Sequence, residues 1–218
     1  MVRPLWALLS LAFWLTACGG SCPLEIHPPP YVIPPREGLA SFRVYVACQS
    51  DEGRYAMGSG VAIASDRILT ARHVVDVCQR HQQEILFISV LGADRYLRMA
   101  KVERGAADTE VDVVKLIVDP GFLSPAEIHN PIWPSSGTFC MVAGDHEELT
   151  FIRRCGQLAF WDAKYVTFDM EAIPGNSGGG VFDSENRLVA IVRAIAFFGS
   201  KKRLVAVPAR KWTDLVEP

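Results

Sequence analysis

The sequence has no apolar run long enough to cross a bilayer as a helix. The stretch Leu5–Leu15 covers 11 residues, and none reaches the roughly 18 that a spanning helix needs. An excess of one charge is also missing. Against 22 Lys and Arg stand 24 Asp and Glu, a net charge of −2, which argues against a nucleic-acid binder held by a basic face. Nor is this a disordered composition: half the residues are hydrophobic and 21% are charged, enough apolar surface for a packed core. The Cys and His residues fall in no zinc-ligand spacing. Gly178-Gly179-Gly180 lacks the lysine and following helix of a phosphate loop. No metal, no cofactor and no nucleic-acid partner is therefore expected. Six cysteines are too few for a small disulfide-built scaffold and too many to ignore.

What is present begins with an address. Met1-Val2-Arg3 gives a short positive start, and the apolar run that follows has the length of a secretory core segment. The run ends in Leu15-Thr16-Ala17-Cys18, which resembles the lipobox of bacterial lipoproteins. The resemblance implies a signal peptide over residues 1–17, lipidation of Cys18, and export to the cell envelope. In a Gram-negative cell, Gly19 after the cysteine implies sorting to the outer membrane. Simple cleavage after Ala17 is the alternative.

Residues 18–38 carry Pro28-Pro29-Pro30 and Pro34-Pro35, which favour an extended, hydrogen-bond-free chain. They read as a tether between membrane and domain, or as a tail wrapped around that domain.

Residues 39–218 read as many short strands separated by turn signals. The strands expected in the first half, about 39–119, are Phe42–Cys48, Gly58–Ala64, Arg67–Thr70, Ile85–Leu91, Tyr96–Val102 and Val111–Val118. The second half, about 135–208, is expected to hold Thr138–Ala143, Leu149–Ala159, Tyr165–Glu171, Gly179–Phe182, Arg187–Ala196 and Leu204–Val207. Two sets of six predict an all-β chain of two six-stranded antiparallel barrels. The Pro-rich segment Pro125–Pro134 is the crossing between them. Only Ala209–Val216, after Pro208, carries a helical pattern, predicting a short C-terminal helix.

Three segments carry chemistry. Gly58-Ser59-Gly60 begins a strand that is followed by Thr70-Ala71-Arg72-His73-Val74. Asp112 opens the apolar run Val111–Leu116. Gly175-Asn176-Ser177-Gly178-Gly179 forms a glycine-rich turn. His73, Asp112 and Ser177 follow one another at separations of 39 and 65 residues. Asp108 is a competing carboxylate, but its neighbours read as a solvated loop. His81, His129 and His146 read as surface residues, and His27 lies in the tether.

These segments, in this order, resemble the trypsin/chymotrypsin-fold serine peptidases, and most closely their bacterial HtrA-like and glutamyl-endopeptidase-like branches. The resemblance covers roughly residues 40–217. It implies that Ser177 is the nucleophile, His73 its general base and Asp112 the orienting acid. A serine hydroxyl needs such a base, because it is a poor nucleophile while it keeps its proton. By the same resemblance the backbone N–H groups of Gly175 and Ser177 form an oxyanion hole. Substrate contacts are expected at Glu171, Ile191 and Arg193: an acidic wall at Glu171 favours basic side chains, Ile191–Ala194 pairs with the substrate backbone, and Arg193 would instead welcome acidic side chains.

The chain departs from the pattern in three places. Arg72 stands where many relatives carry a small or amide residue, and Gly180 stands where proline is usual. Asn176 stands where zymogen-activated trypsins have the aspartate that pairs with a newly cut amino terminus. Activity without such a cut is therefore expected. No further domain of the PDZ type is expected after the peptidase unit.

Two cysteine pairs are candidate bridges in an oxidising compartment. Cys140 and Cys155 flank a hairpin at facing positions. Cys48 and Cys78 bracket His73, as a bridge does in relatives. Buried free thiols are the alternative.

The leading function is thus an exported serine endopeptidase acting on proteins or peptides. A non-catalytic envelope lipoprotein on a peptidase scaffold, and an esterase-like hydrolase, are the other readings. Oligomeric state is not indicated.

Overall fold

The computed structural model describes residues 31–32, 40–48, 55–80, 84–103, 111–119, 123–133, 137–147, 150–199 and 201–213. Cys18, Cys22, His27, His81 and Asp108 lie outside them. A two-residue strand, β1 (Tyr31–Val32), comes first. The first barrel follows: β2 (Ser41–Cys48), β3 (Tyr55–Ala64), β4 (Arg67–Thr70), β5 (Ile85–Gly92), β6 (Leu97–Val102) and β7 (Val114–Asp119). They neighbour one another as β2-β3-β4-β7-β6-β5, and β5 closes on β2. The second barrel is β8 (Thr138–Asp145), β9 (Thr150–Trp161), β10 (Val166–Asp169), β11 (Gly180–Phe182), β12 (Leu188–Phe198) and β13 (Lys201–Pro208). Its order is β9-β10-β13-β12-β11-β8, closed by β8 on β9, with every pair antiparallel. Closure leaves no free edge within either six-stranded set. β1 falls in the stretch read as a tether, and it pairs with β9 at Arg153 and Ile152.

Each barrel buries its own inward face. Phe42, Val44, Val46, Ile68, Val90 and Leu116 fill the first; Phe139, Met141, Ile152, Phe168, Val181 and Leu204 fill the second. A third cluster, including Val61, Leu69, Val113, Phe182, Ile191 and Trp212, seals the seam between them. β2 is buried along nearly its whole length because it is covered twice. Val44 and Val46 point into the first barrel. Arg43 lies against Gly144 of β8, and its guanidinium stands over the Phe151 ring at 5.8 Å. The segment 123–133 crosses between the barrels, with Leu123 in the first core and Trp133 in the second.

Among the described residues, two disulfide bridges join separate chain segments. Cys140 faces Cys155 directly across β8 and β9, and the two are bonded. Cys48, at the end of β2, is bonded to Cys78, which holds the short helices α1 (Arg72–Val75) and α2 (Val77–Arg80) against the first barrel.

Three local expectations are corrected. β7 begins at Val114, so Asp112 lies in a bend before the strand rather than within it. Two helical turns follow β4, where none was expected. The C-terminal helix is a 3-10 turn over Ala209–Lys211. Trp212 follows it into the seam, fully buried, with its indole N–H donating to the Val207 carbonyl at 3.1 Å. Residues 214–218 lie outside the described set.

Candidate active site

β4 delivers the chain to Ala71, and α1 turns His73 toward the seam. No side chain caps α1 from its own sequence. Asp112 does so from 39 residues away, accepting the His73 backbone N–H on Oδ1 at 3.0 Å. Its carbonyl also accepts the Arg72 N–H at 3.3 Å. The other carboxylate oxygen, Oδ2, lies 2.8 Å from His73 Nδ1. Asp112 thus fixes both the backbone and the ring of His73. Burial acts to raise the pKa of Asp112. The hydrogen bonds and charge of His73 outweigh it, with help from the Arg193 charge, and hold the carboxyl below its ordinary value.

Ser177 comes from the loop between β10 and β11. Ile173–Asn176 form a four-residue turn closed by the Asn176 N–H on the Ile173 carbonyl at 3.1 Å. Gly175, third in that turn, has φ +94°, the left-handed value that a type II turn requires there. Gly178 has φ +89°, and a Cβ on it would come within 2.0 Å of the Ser59 carbonyl oxygen. Only glycine fits such a position.

Ser59, fully buried on β3, pins this loop. Its N–H donates to the Ser177 carbonyl at 2.7 Å. Its hydroxyl donates to the Gly175 carbonyl at 2.8 Å and accepts the Gly144 N–H at 2.9 Å. Its carbonyl accepts the Thr70 hydroxyl at 2.7 Å. Asn176, also buried, donates its amide to the Gly144 carbonyl at 3.1 Å and accepts the Ile173 N–H at 2.9 Å. The peptide groups on either side are occupied. The N–H groups of Gly175 and Ser177 donate to nothing among the described residues. Ser177 Oγ donates to the Arg193 carbonyl at 3.3 Å, not to His73.

The other expected site residues divide. Arg193 reaches the site, but its Nε donates to Asp112 Oδ2 at 3.2 Å rather than standing free for a substrate. Glu171 is exposed and paired with Arg154, so it is not an unopposed acidic wall. Ile191 does not reach the cleft. It is fully buried in the seam, paired with Gly180 on one side and Val207 on the other. Its backbone edges are used, and a substrate strand has no access to them.

Two participants were not visible as such in the sequence. Ser59 was read only as part of a strand motif, although a serine between two glycines ahead of Thr-Ala-x-His was a usable signal. His146, read as a surface residue, has both ring nitrogens buried without a hydrogen bond of normal geometry. Its ring packs on Gly175 and meets the Tyr45 ring edge-on at 5.6 Å. Burial lowers the His146 pKa, against a smaller opposing pull from the backbone of Gly58 and Gly175. His129 pairs with Asp183 at 3.1 Å.

The chain is similar to known proteins in sequence and in fold. Glutamyl endopeptidase from Staphylococcus aureus strain MRSA252 is 21% identical over 161 residues, covering 67% of this chain and 45% of that protein. The strain MW2 protein is 22% identical over 161 residues, covering 67% and 49%. The chain therefore spans about half the length of the curated relatives it matches. The solved structure of the HtrA-type protease AlgW with tripeptide superposes with a TM-score of 0.67 at 19% identity. That match covers 81% of this chain and 58% of the AlgW chain, a likeness of fold. The family model described as trypsin-like peptidase domain matches residues 58–191, a segment that includes His73, Asp112 and Ser177, and the chain belongs to that family.

Proposed function

We propose that the protein is an exported serine endopeptidase that cleaves peptide bonds through an acyl-enzyme on Ser177. The observation that carries this reading is the His73–Asp112 pair at 2.8 Å, set beside a loop whose Gly175 and Ser177 N–H groups donate to nothing among the described residues. The Ser177 hydroxyl turns from the Arg193 carbonyl to His73 Nε2 as substrate enters. Catalytic hydrogen bonds of this kind often tighten only in the complex. His73 takes the hydroxyl proton while Oγ attacks the scissile carbonyl carbon. Asp112 holds the imidazole in the tautomer with hydrogen on Nδ1 and stabilises the imidazolium. The carbonyl oxygen gains the negative charge and receives the two N–H groups. One such donor is worth on the order of 10²–10³ in turnover. His73 then returns its proton to the leaving amine. Water, deprotonated by the same imidazole, hydrolyses the ester and restores Ser177.

Asn176 supports activity without a cut amino terminus, because its partners, Gly144 and Ile173, are neutral backbone groups of the folded chain. Lipidation at Cys18 belongs to the same proposal and would put the enzyme on a membrane of the cell envelope. Cys18→Ala should then leave the protein unanchored, and full recovery of that variant with membranes would contradict the anchor.

The test of the activity is cleavage of an unfolded protein substrate by purified wild type and Ser177→Ala. Loss of nearly all cleavage in a folded Ser177→Ala protein supports the reading. Equal rates would reject it, and no cleavage by either would favour the binding-lipoprotein alternative.

A further inference from the structure

The strand that passes Ser177 carries a bulge. β12 pairs Val192 with Ala206 and next Ala194 with Val205, so Arg193 has no partner on β13. A bulge of this kind re-aims the side chain of the extra residue. Here that side chain crosses the seam to a carboxylate held by the first barrel. Arg193 Nε donates to Asp112 Oδ2 at 3.2 Å, the oxygen that also faces His73 Nδ1. The guanidinium lies over the Tyr165 ring, 4.8 Å from its centroid. Stacking restrains a long side chain that would otherwise sample many rotamers. A guanidinium also keeps its charge at every working pH.

We propose that Arg193 is a positioning residue of the triad, locking the Asp112 carboxylate against His73 and keeping a fixed positive charge beside the pair. The proposal rests on the peptidase reading above and adds a member to its machinery. With Oδ1 held by the His73 N–H at 3.0 Å and Oδ2 held by Arg193, the carboxylate cannot rotate away from the imidazole. Because the Arg193 side chain is committed to Asp112, acidic substrate side chains have to compete with that carboxylate for it.

Arg193→Met and Arg193→Lys test this in the full chain, by two readouts. Proton NMR of the His73 Nδ1–H follows its hydrogen bond to Asp112 and needs no turnover. Arg193→Met should broaden or abolish that signal, and Arg193→Lys should recover it in part. In steady-state kinetics Arg193→Met should lower kcat by about tenfold with KM nearly unchanged. An unchanged His73 Nδ1–H signal in Arg193→Met overturns the proposal. So does a raised KM with intact kcat, which would make Arg193 a substrate contact. If Arg193→Met does not fold, Arg193→Leu removes the same donor and is read in the same way. A wild-type chain without turnover would refute the peptidase reading, while the Nδ1–H signal would still decide the role of Arg193.

Discussion

Ser59 and Gly175 are tied to each other across the seam between the barrels: the Ser59 hydroxyl donates to the Gly175 carbonyl at 2.8 Å. That bond fixes the peptide that follows Gly175, and so the direction of the loop whose N–H groups would meet a substrate oxygen. Ser59→Ala leaves the Gly175 carbonyl and the Gly144 N–H without a partner. A lost buried partner costs about 1–3 kcal/mol of stability. The larger effect should be on kcat, at least about tenfold with KM little changed, because the interaction serves the transition state. Steady-state kinetics beside thermal unfolding separates the two effects.

Gly175→Ala should be more severe. Its φ of +94° is unfavourable for any residue with a Cβ, and the new methyl would lie 2.4 Å from His146 Cδ2. The loop must shift to accommodate it. Turnover should fall by about 10²–10³, the range for loss of an oxyanion donor. Labelling of Ser177 by a serine-reactive probe should slow in parallel, with the barrels still folded by circular dichroism.

His146 gives a pH prediction. Its pKa is lowered in the folded state because burial disfavours the imidazolium. The unfolded chain therefore binds this proton more readily. Stability from His146 is fully present above the ordinary value of 6.5. It is lost as pH falls from there through the lower folded value. Denaturant unfolding at a series of pH values should show this loss in wild type. His146→Phe should flatten the curve in that window. A wild-type stability that rises on acidification below 6.5 would contradict the burial of a neutral ring.

The turns that carry Ser177 and His73 were legible in the sequence because glycine and strand context mark them locally. The barrels were legible because short apolar strands end at clear turns, as β4 does between Ser65-Asp66 and Ala71. The failures were all long-range. α1 is four residues of Arg-His-Val-Val, of which His and the two Val are weak helix formers, and it is held by Asp112 from a distant segment. Ile191 and Arg193 lie in one apolar run, and only the bulge, which leaves no mark in the sequence, separates a buried seam residue from a site residue. His146 has Asp145, Glu147 and Glu148 for neighbours, a surface signature, yet its ring is covered by Tyr45 and Gly175 from other segments.

Asp112→Asn preserves shape and removes the charge. The amide can donate where the carboxylate only accepts, so it favours the tautomer of His73 that cannot take the serine proton. In trypsin-type triads this change costs about 10⁴ in turnover, or roughly 5.4 kcal/mol of barrier. Asp108→Asn is the control and should cost little. Kinetics of both variants on one protein substrate checks the assignment, and a crippled Asp108→Asn beside an active Asp112→Asn would reverse it.

The central claim is that Ser177 is the nucleophile activated by His73. The most direct measurement is covalent labelling with a fluorophosphonate, with the adduct located by peptide mass spectrometry. The account predicts one adduct per chain, on Ser177, absent in Ser177→Ala and formed far more slowly in His73→Ala. A wild-type chain that remains unlabelled, or an adduct on another serine with Ser177 untouched, would contradict it.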